Sequence, residues 1–210
     1  MKPQRLHRFV PAELSPEQRT LYDAITQGPR SRGPQLFALT DAEGRLEGPF
    51  NAWLLSPDVG TALQELGSTI RYKTALTGRA REIAILELAA IRRADFEWFA
   101  HERVGRAAGL TDDELTAIRR RKKAPSLDPV ERLVRKVVHA LLGERDLKRA
   151  TFDEAREVLG ERALMDLISL VGYYDGVALS LRVWRAPLPE GELSPFRKQR
   201  ARKPAATSSS

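Results

Sequence analysis

The 210-residue chain carries 35 Lys and Arg against 28 Asp and Glu, is 42% hydrophobic, and contains no cysteine. Such a chain can fill a core, since a domain of this size buries about 70% of its unfolded surface; without cysteine it has no disulfide framework, thiol nucleophile, CxxC redox centre, iron–sulfur cluster or cysteine-bound zinc. The net charge of +7 comes from two runs of five, Arg119–Lys123 and the set Arg197, Lys198, Arg200, Arg202 and Lys203, and setting those ten aside leaves 25 basic residues facing 28 acidic ones, so a specific nucleic-acid partner is not expected.

Residues 1–14 read as a Pro-containing extension, and Met1–Arg5 is not followed by an apolar run. No later apolar stretch reaches membrane-spanning length without charge, so a cytoplasmic protein without a membrane partner is expected. Ser15-Pro16-Glu17-Gln18 supplies an N-cap, a first-turn Pro and a returning Gln, and predicts a helix over 15–27. Residues 28–50 hold Gly28-Pro29, Gly33-Pro34, Gly44 and Gly48-Pro49, the signature of a long loop with short strands at 35–39 and 45–48, able to wrap a neighbour.

From Asn51 the pattern is helical: 51–55, 57–72, 79–93, 96–109, 112–122, 129–142, 151–159 and 161–184. Thr111–Glu114 and Thr151–Glu154 match the capping box, Asp128-Pro129 is an N-cap followed by Pro, and Gly109 and Gly160 stand where left-handed C-caps belong. Helices 79–93 and 161–184 are apolar around so much of their circumference that burial on two sides is expected, which favours a homo-oligomer. After Pro187-Leu188-Pro189 the periodicity stops, and 193–210 reads as a disordered basic tail, leaving 15–192 as the domain.

One of the three histidines has suggestive company. In Asp95-Phe96-Glu97-Trp98-Phe99-Ala100-His101, Glu97 and His101 stand at i and i+4, with Asp95 as N-cap. A carboxylate beside an imidazole is a serviceable acid/base pair near neutral pH, and an exposed surface pair has the same spacing. Glu82 shares a stripe with Ile83 and Leu86, either as a helix-stabilising first-turn charge or as a buried acid. Two ligands at i,i+4 without a third make no metal site. His139 reads as a satisfied core or partly exposed histidine rather than a ligand, and Trp53, Trp98, Tyr173 and Tyr174 as core or interface residues, any of which could wall a pocket.

Gly48–Pro57, Arg81–Leu86, and Glu97–Glu102 running into Ala108–Leu115, in that order, resemble the carboxymuconolactone decarboxylase-like superfamily, which includes the AhpD alkylhydroperoxidases; Val171–Tyr174 with Pro187–Pro189 resembles its longer members. The resemblance spans residues 12–192. It implies an all-α, AhpD-like fold of about seven or eight helices with an irregular N-terminal segment, assembled as a trimer or hexamer. In the peroxidase branch two cysteines carry the chemistry; the matching positions here are Ala94 and Glu97, so the cysteine-less decarboxylase branch is the better likeness.

That likeness implies a cofactor-free lyase acting on a small conjugated or lactone carboxylic acid, with His101 as proton donor, Glu97 orienting it, Glu82 completing the relay, and Phe50, Trp53 and Trp98 excluding water. The same apparatus would serve an isomerase or hydratase. A non-catalytic oligomeric ligand-binding protein of the same superfamily is the competing expectation.

Overall fold

The computed structural model describes residues 4–28, 31, 35–124 and 126–196. After a 3-10 turn at Pro11–Glu13 come α1 (Pro16–Thr26), α2 (Phe50–Trp53), α3 (Pro57–Tyr72), α4 (Gly78–Arg92), α5 (Asp95–Ala107), α6 (Asp112–Arg119), α7 (Pro129–Gly143) and α8 (Arg149–Trp184). Three starts use the chemistry their sequences offer. Ser15, Thr111 and Asp128 each accept the N–H of the third helical residue, and Gln18, Glu114 and Glu131 return a side-chain bond to the cap's own N–H.

Four local expectations are corrected. Thr151 lies inside α8 rather than capping it, because the Phe152 N–H already reaches the Lys148 carbonyl and the helix begins two residues earlier. Asp95 is the first residue of α5, Ala94 takes the cap position, and the Asp95 carboxylate accepts the Ser194 hydroxyl at 2.6 Å. The expected strands reduce to one isolated antiparallel bridge, Thr40 to Leu46, among the described residues. Side-chain ion pairs hold that segment instead: Arg8 reaches Asp41 at 3.1 Å and Glu47 at 3.0 Å, and Arg45 reaches Asp41 at 2.7 Å. Finally, α6 stops at Arg119, where Arg121 takes a left-handed φ of 55° and the Lys122 N–H turns back to the Ala117 carbonyl.

Gly160 ends the first half of α8 by a different device from a left-handed cap. Its φ of 81° and ψ of 159° fall in a region open essentially to glycine alone, and α8 is two helices meeting at that residue.

The centre of the molecule is α4, flanked by α5, α6, α7 and α8. Ala80 and every residue from Glu82 to Ala90 are buried. The apolar circumference read from the sequence is therefore satisfied within one chain and does not by itself call for a neighbour. By contrast, α8 keeps Met165, Leu179 and Val183 on the surface, at 62%, 63% and 45% exposure. It is also the one helix among the described residues long and apolar enough to cross a bilayer, yet half of its apolar stretch is buried in the fold, as in a core helix.

Both ends of the described chain pack on the body. The Arg5 N–H bonds the Trp184 carbonyl at 3.2 Å, and Asn51 Oδ1 accepts the Phe9 N–H at 3.1 Å. Ser194 is tied to Asp95, and the Phe196 ring stands edge-on to Trp98 at 5.6 Å, so these two residues of the expected tail pack on α5. Arg197, Lys198, Arg200, Arg202 and Lys203 lie outside the described residues.

Candidate active site

Two helices and one crossing aromatic build the site. Thr77 caps α4, which places Glu82 in the second turn rather than the first and directs it inward, where the residue is fully buried. Antiparallel contact with α5 brings His101 opposite, and Glu82 Oε2 meets His101 Nδ1 at 2.7 Å. Glu97, one turn earlier on α5, sits with Oε2 3.8 Å from His101 Nε2, a charge contact longer than a hydrogen bond. Glu82, Glu97 and His101 are exposed by 0%, 3% and 4%, so an exposed surface pair does not describe them.

The two carboxylates therefore hold positions opposite to those expected. Glu82, coming from α4, orients the imidazole through Nδ1, while Glu97 faces the other ring nitrogen. The reason is geometric: i,i+4 spacing makes neighbours on one helix, but a residue on the facing helix can approach the ring in its own plane.

Electrostatics support the same division. Burial pushes the Glu82 carboxyl upward, but the charge and hydrogen bond of His101, then Arg81 and Arg71, outweigh it and hold the group below the usual carboxylate range. Arg81 Nε stands 3.4 Å from Glu82 Oε1, so one oxygen of Glu82 faces the His101 ring and the other a guanidinium. Tyr174 of α8 meets the His101 ring edge-on at 5.1 Å. Its hydroxyl is pushed well above the usual tyrosine range, mainly by burial, with Arg71 opposing and Glu97 and Glu82 adding. Tyr174 is thus a neutral donor or acceptor, never an anion, at working pH.

Glu97 and His101 open onto a cavity of about 30 Å³, about two waters' worth. Phe37, Phe50, Trp53, Phe96 and Tyr173 form its apolar walls, and Arg71 is its cation. Gly48, at φ 60°, makes the close approach possible: a Cβ there would stand 2.2 Å from Phe96 Cε1, so only glycine lets the loop deliver Phe50 to the cavity. A second, apolar cavity of about 530 Å³ between α3 and α8 shares Trp53, Tyr173 and Val177 with the first. Motion of those shared side chains is what would admit anything larger than water.

Of the expected wall residues, Phe50 and Trp53 line the cavity and stack edge-to-face at 5.1 Å. Trp98 does not. Its indole is buried elsewhere, donating to Glu102 at 3.1 Å and packing on Phe196, because it leaves α5 on a different face from Glu97 and His101. Arg71 is a site residue the sequence does not single out: as the last-turn base of α3 it has the same signature as any helix-end charge. Among the described residues no group of three His, Asp or Glu is arranged to hold a metal ion.

Residues 57–140 match the Carboxymuconolactone decarboxylase family. No curated protein matches the chain. Several solved structures share its fold. An alkylhydroperoxidase AhpD core, an uncharacterized peroxidase-related protein from Ralstonia eutropha JMP134, superposes with a TM-score of 0.70 at 13% identity, over 90% of this chain and 95% of that one. The peroxidase-related protein from Silicibacter sp. TM1040 gives 0.66 at 13% identity, covering 89% and 92%. The debrominase Bmp8, in a Cys-to-Ala variant bound to 2,3,4-tribromopyrrole, gives 0.66 at 12% identity, covering 90% and 92%.

Proposed function

Because the chain belongs to the carboxymuconolactone decarboxylase/AhpD-like superfamily, we propose that it is a cofactor-free acid/base lyase that decarboxylates a small conjugated or lactone carboxylic acid. The observation that carries this reading is the Glu82–His101 hydrogen bond at 2.7 Å, with the free ring nitrogen facing Glu97 and an apolar cavity. With no cysteine in the chain, the thiol route of a peroxidase is closed to it.

The chemistry asked of the site is modest. The bond from the substrate's α-carbon to its carboxyl carbon breaks, CO2 leaves, and the electron pair passes into a conjugated carbonyl as an enolate or dienolate. A proton must then reach carbon. Glu82 accepts the Nδ1–H of His101 and so turns Nε2 toward the cavity, where a proton carried on Nε2 is the one delivered to carbon. Arg71 is placed to stabilise the oxygen on which charge collects, in walls whose low polarity strengthens that attraction. A proton taken up from solvent passes through Glu97 back to Nε2, which replaces the one consumed at carbon in each turnover.

The test is CO2 release from a panel of conjugated, β-keto and lactone acids in deuterated solvent. Turnover with one deuterium placed on the product carbon, reduced about 10²–10⁴-fold in His101→Ala, is the expected result. Saturable binding of such acids with no turnover would instead make the protein a ligand-binding member of its superfamily.

A further inference from the structure

The catalytic reading leaves one fully buried acid unused. Glu87 lies five residues after Glu82 on α4, on a different face, and is 0% exposed. It too serves a histidine, since His139 Nε2 of α7 stands 2.8 Å from Glu87 Oε2. Arg135 Nε, also of α7, pairs with the other oxygen. The Arg135 guanidinium additionally donates to the Lys122 carbonyl at 3.1 Å, which ties α7 to the segment after α6.

Above this buried carboxylate is a concavity of about 570 Å³. Its lining is basic apart from Ala124: residues 121–123 along one side, and Arg132, Arg135, Lys136 and His139 along the other. Lys136 is partly neutralised by Glu154 at 2.6 Å. Among the described residues, Arg121, Lys122, Lys123 and Arg132 are in no ion pair, whereas Glu87 fixes Arg135 and His139 from behind. Holding like charges together costs energy that a bound anion would recover.

We infer that this concavity between the 121–124 segment and α7 binds a compact, multiply charged phosphoanion: an inorganic polyphosphate or the polyphosphate of a nucleotide. Its volume falls in the range of small-ligand sites, about 300–1,000 Å³. Concavity and a cluster of guanidinium and ammonium donors suit phosphate oxygens. No aromatic side chain lines it, so it has no platform on which a nucleic-acid base would stack. The ligand is held by its phosphates, and a nucleoside attached to them adds little. The inference is independent of the decarboxylase reading, because it shares no residue with the catalytic cavity.

Isothermal titration of the full-length protein with sodium tripolyphosphate and with ATP, at physiological salt, tests it. One saturable site per chain is expected, with the two ligands binding within a few-fold of each other. The exposed pair Lys122→Glu with Lys123→Glu should weaken both by about tenfold or more, the scale of a lost charged contact. Lys73→Glu with Arg162→Glu changes the net charge equally at exposed positions outside the concavity, and should leave both affinities within twofold. Absence of saturable binding overturns the inference. So does an equal loss in both double variants, which would show a diffuse charge effect, or ATP binding without tripolyphosphate binding. A single-stranded RNA binding far more tightly than tripolyphosphate would also overturn it, in favour of a nucleic-acid surface.

Discussion

A buried carboxylate and a buried imidazole gain most when each satisfies the other, and Glu82 and His101 do so at 2.7 Å with less than 5% of either residue exposed. Because the Glu82 carboxyl titrates below its usual range, it binds its proton less readily folded than unfolded, and the stability it contributes is present above about pH 4.5 and is lost as the pH falls through the folded value. Acid unfolding of Glu82→Gln should consequently be shallower than that of the wild type below pH 4.5, which circular dichroism against pH would record. In activity the two acids should separate. Glu82→Gln removes the charged partner at Nδ1 and should change the shape of the pH–rate profile, whereas Glu97→Gln should lower turnover with that shape retained; identical profiles for both would show that neither acid has its own role. His101 and Glu97 were legible as a pair from their spacing, and Glu82 from its place on an apolar stripe. Which acid holds the ring was not, because that depends on the crossing of α4 and α5 rather than on either sequence.

At the level of elements, helix starts with a cap, a Pro or a returning side chain could be read directly, since those signals act over four residues. The 35–48 segment could not, because ion pairs from Arg8, distant in sequence, replace the strand pairing that its residues suggest. Gly160 was found as a helix boundary but with the wrong geometry, for glycine alone does not say which positive-φ conformation it will take. Its backbone makes a sharp prediction beside that of two other glycines of α8. Gly160→Ala should cost about 1–3 kcal/mol, the price of forcing a side chain into that region. At Gly172 and Gly176 an added Cβ meets nothing within 4 Å. Alanine there should stabilise by about 0.5–1 kcal/mol, as in any helix interior. Urea denaturation of the three variants checks the contrast, and a stabilising Gly160→Ala would mean that α8 runs straight.

At the scale of the whole molecule, Arg79 braces three helices. It reaches Glu131 of α7 at 2.6 Å and Glu114 of α6 at 3.0 Å, and also bonds the Gly109 carbonyl after α5. Both acids are buried, and Glu114 is held below its usual range: burial opposes this, but the Thr111 N–H and Arg79 outweigh it. Arg79→Ala leaves two buried carboxylates without their cation and should cost about 2–3 kcal/mol, scaled down from a fully buried pair because the Arg79 side chain is 30% exposed. For assembly, the burial of α4 removes one argument, and the case rests on the exposed apolar residues of α8 and on the superfamily likeness. We propose a homo-oligomer, a trimer or hexamer, and sedimentation equilibrium at micromolar concentration should show a mass several times 23.5 kDa; a clean monomer would contradict it. The central claim, that Glu82 fixes His101 through Nδ1 and turns Nε2 toward the cavity, has one direct test. The chain has three histidines, so ring-¹⁵N-labelled protein gives a spectrum that His101→Asn assigns by subtraction. The account predicts a slowly exchanging, strongly hydrogen-bonded Nδ1–H on His101 that disappears in Glu82→Gln and persists in Glu97→Gln. A His101 protonated on Nε2 alone, or unaffected by loss of the Glu82 charge, would contradict it.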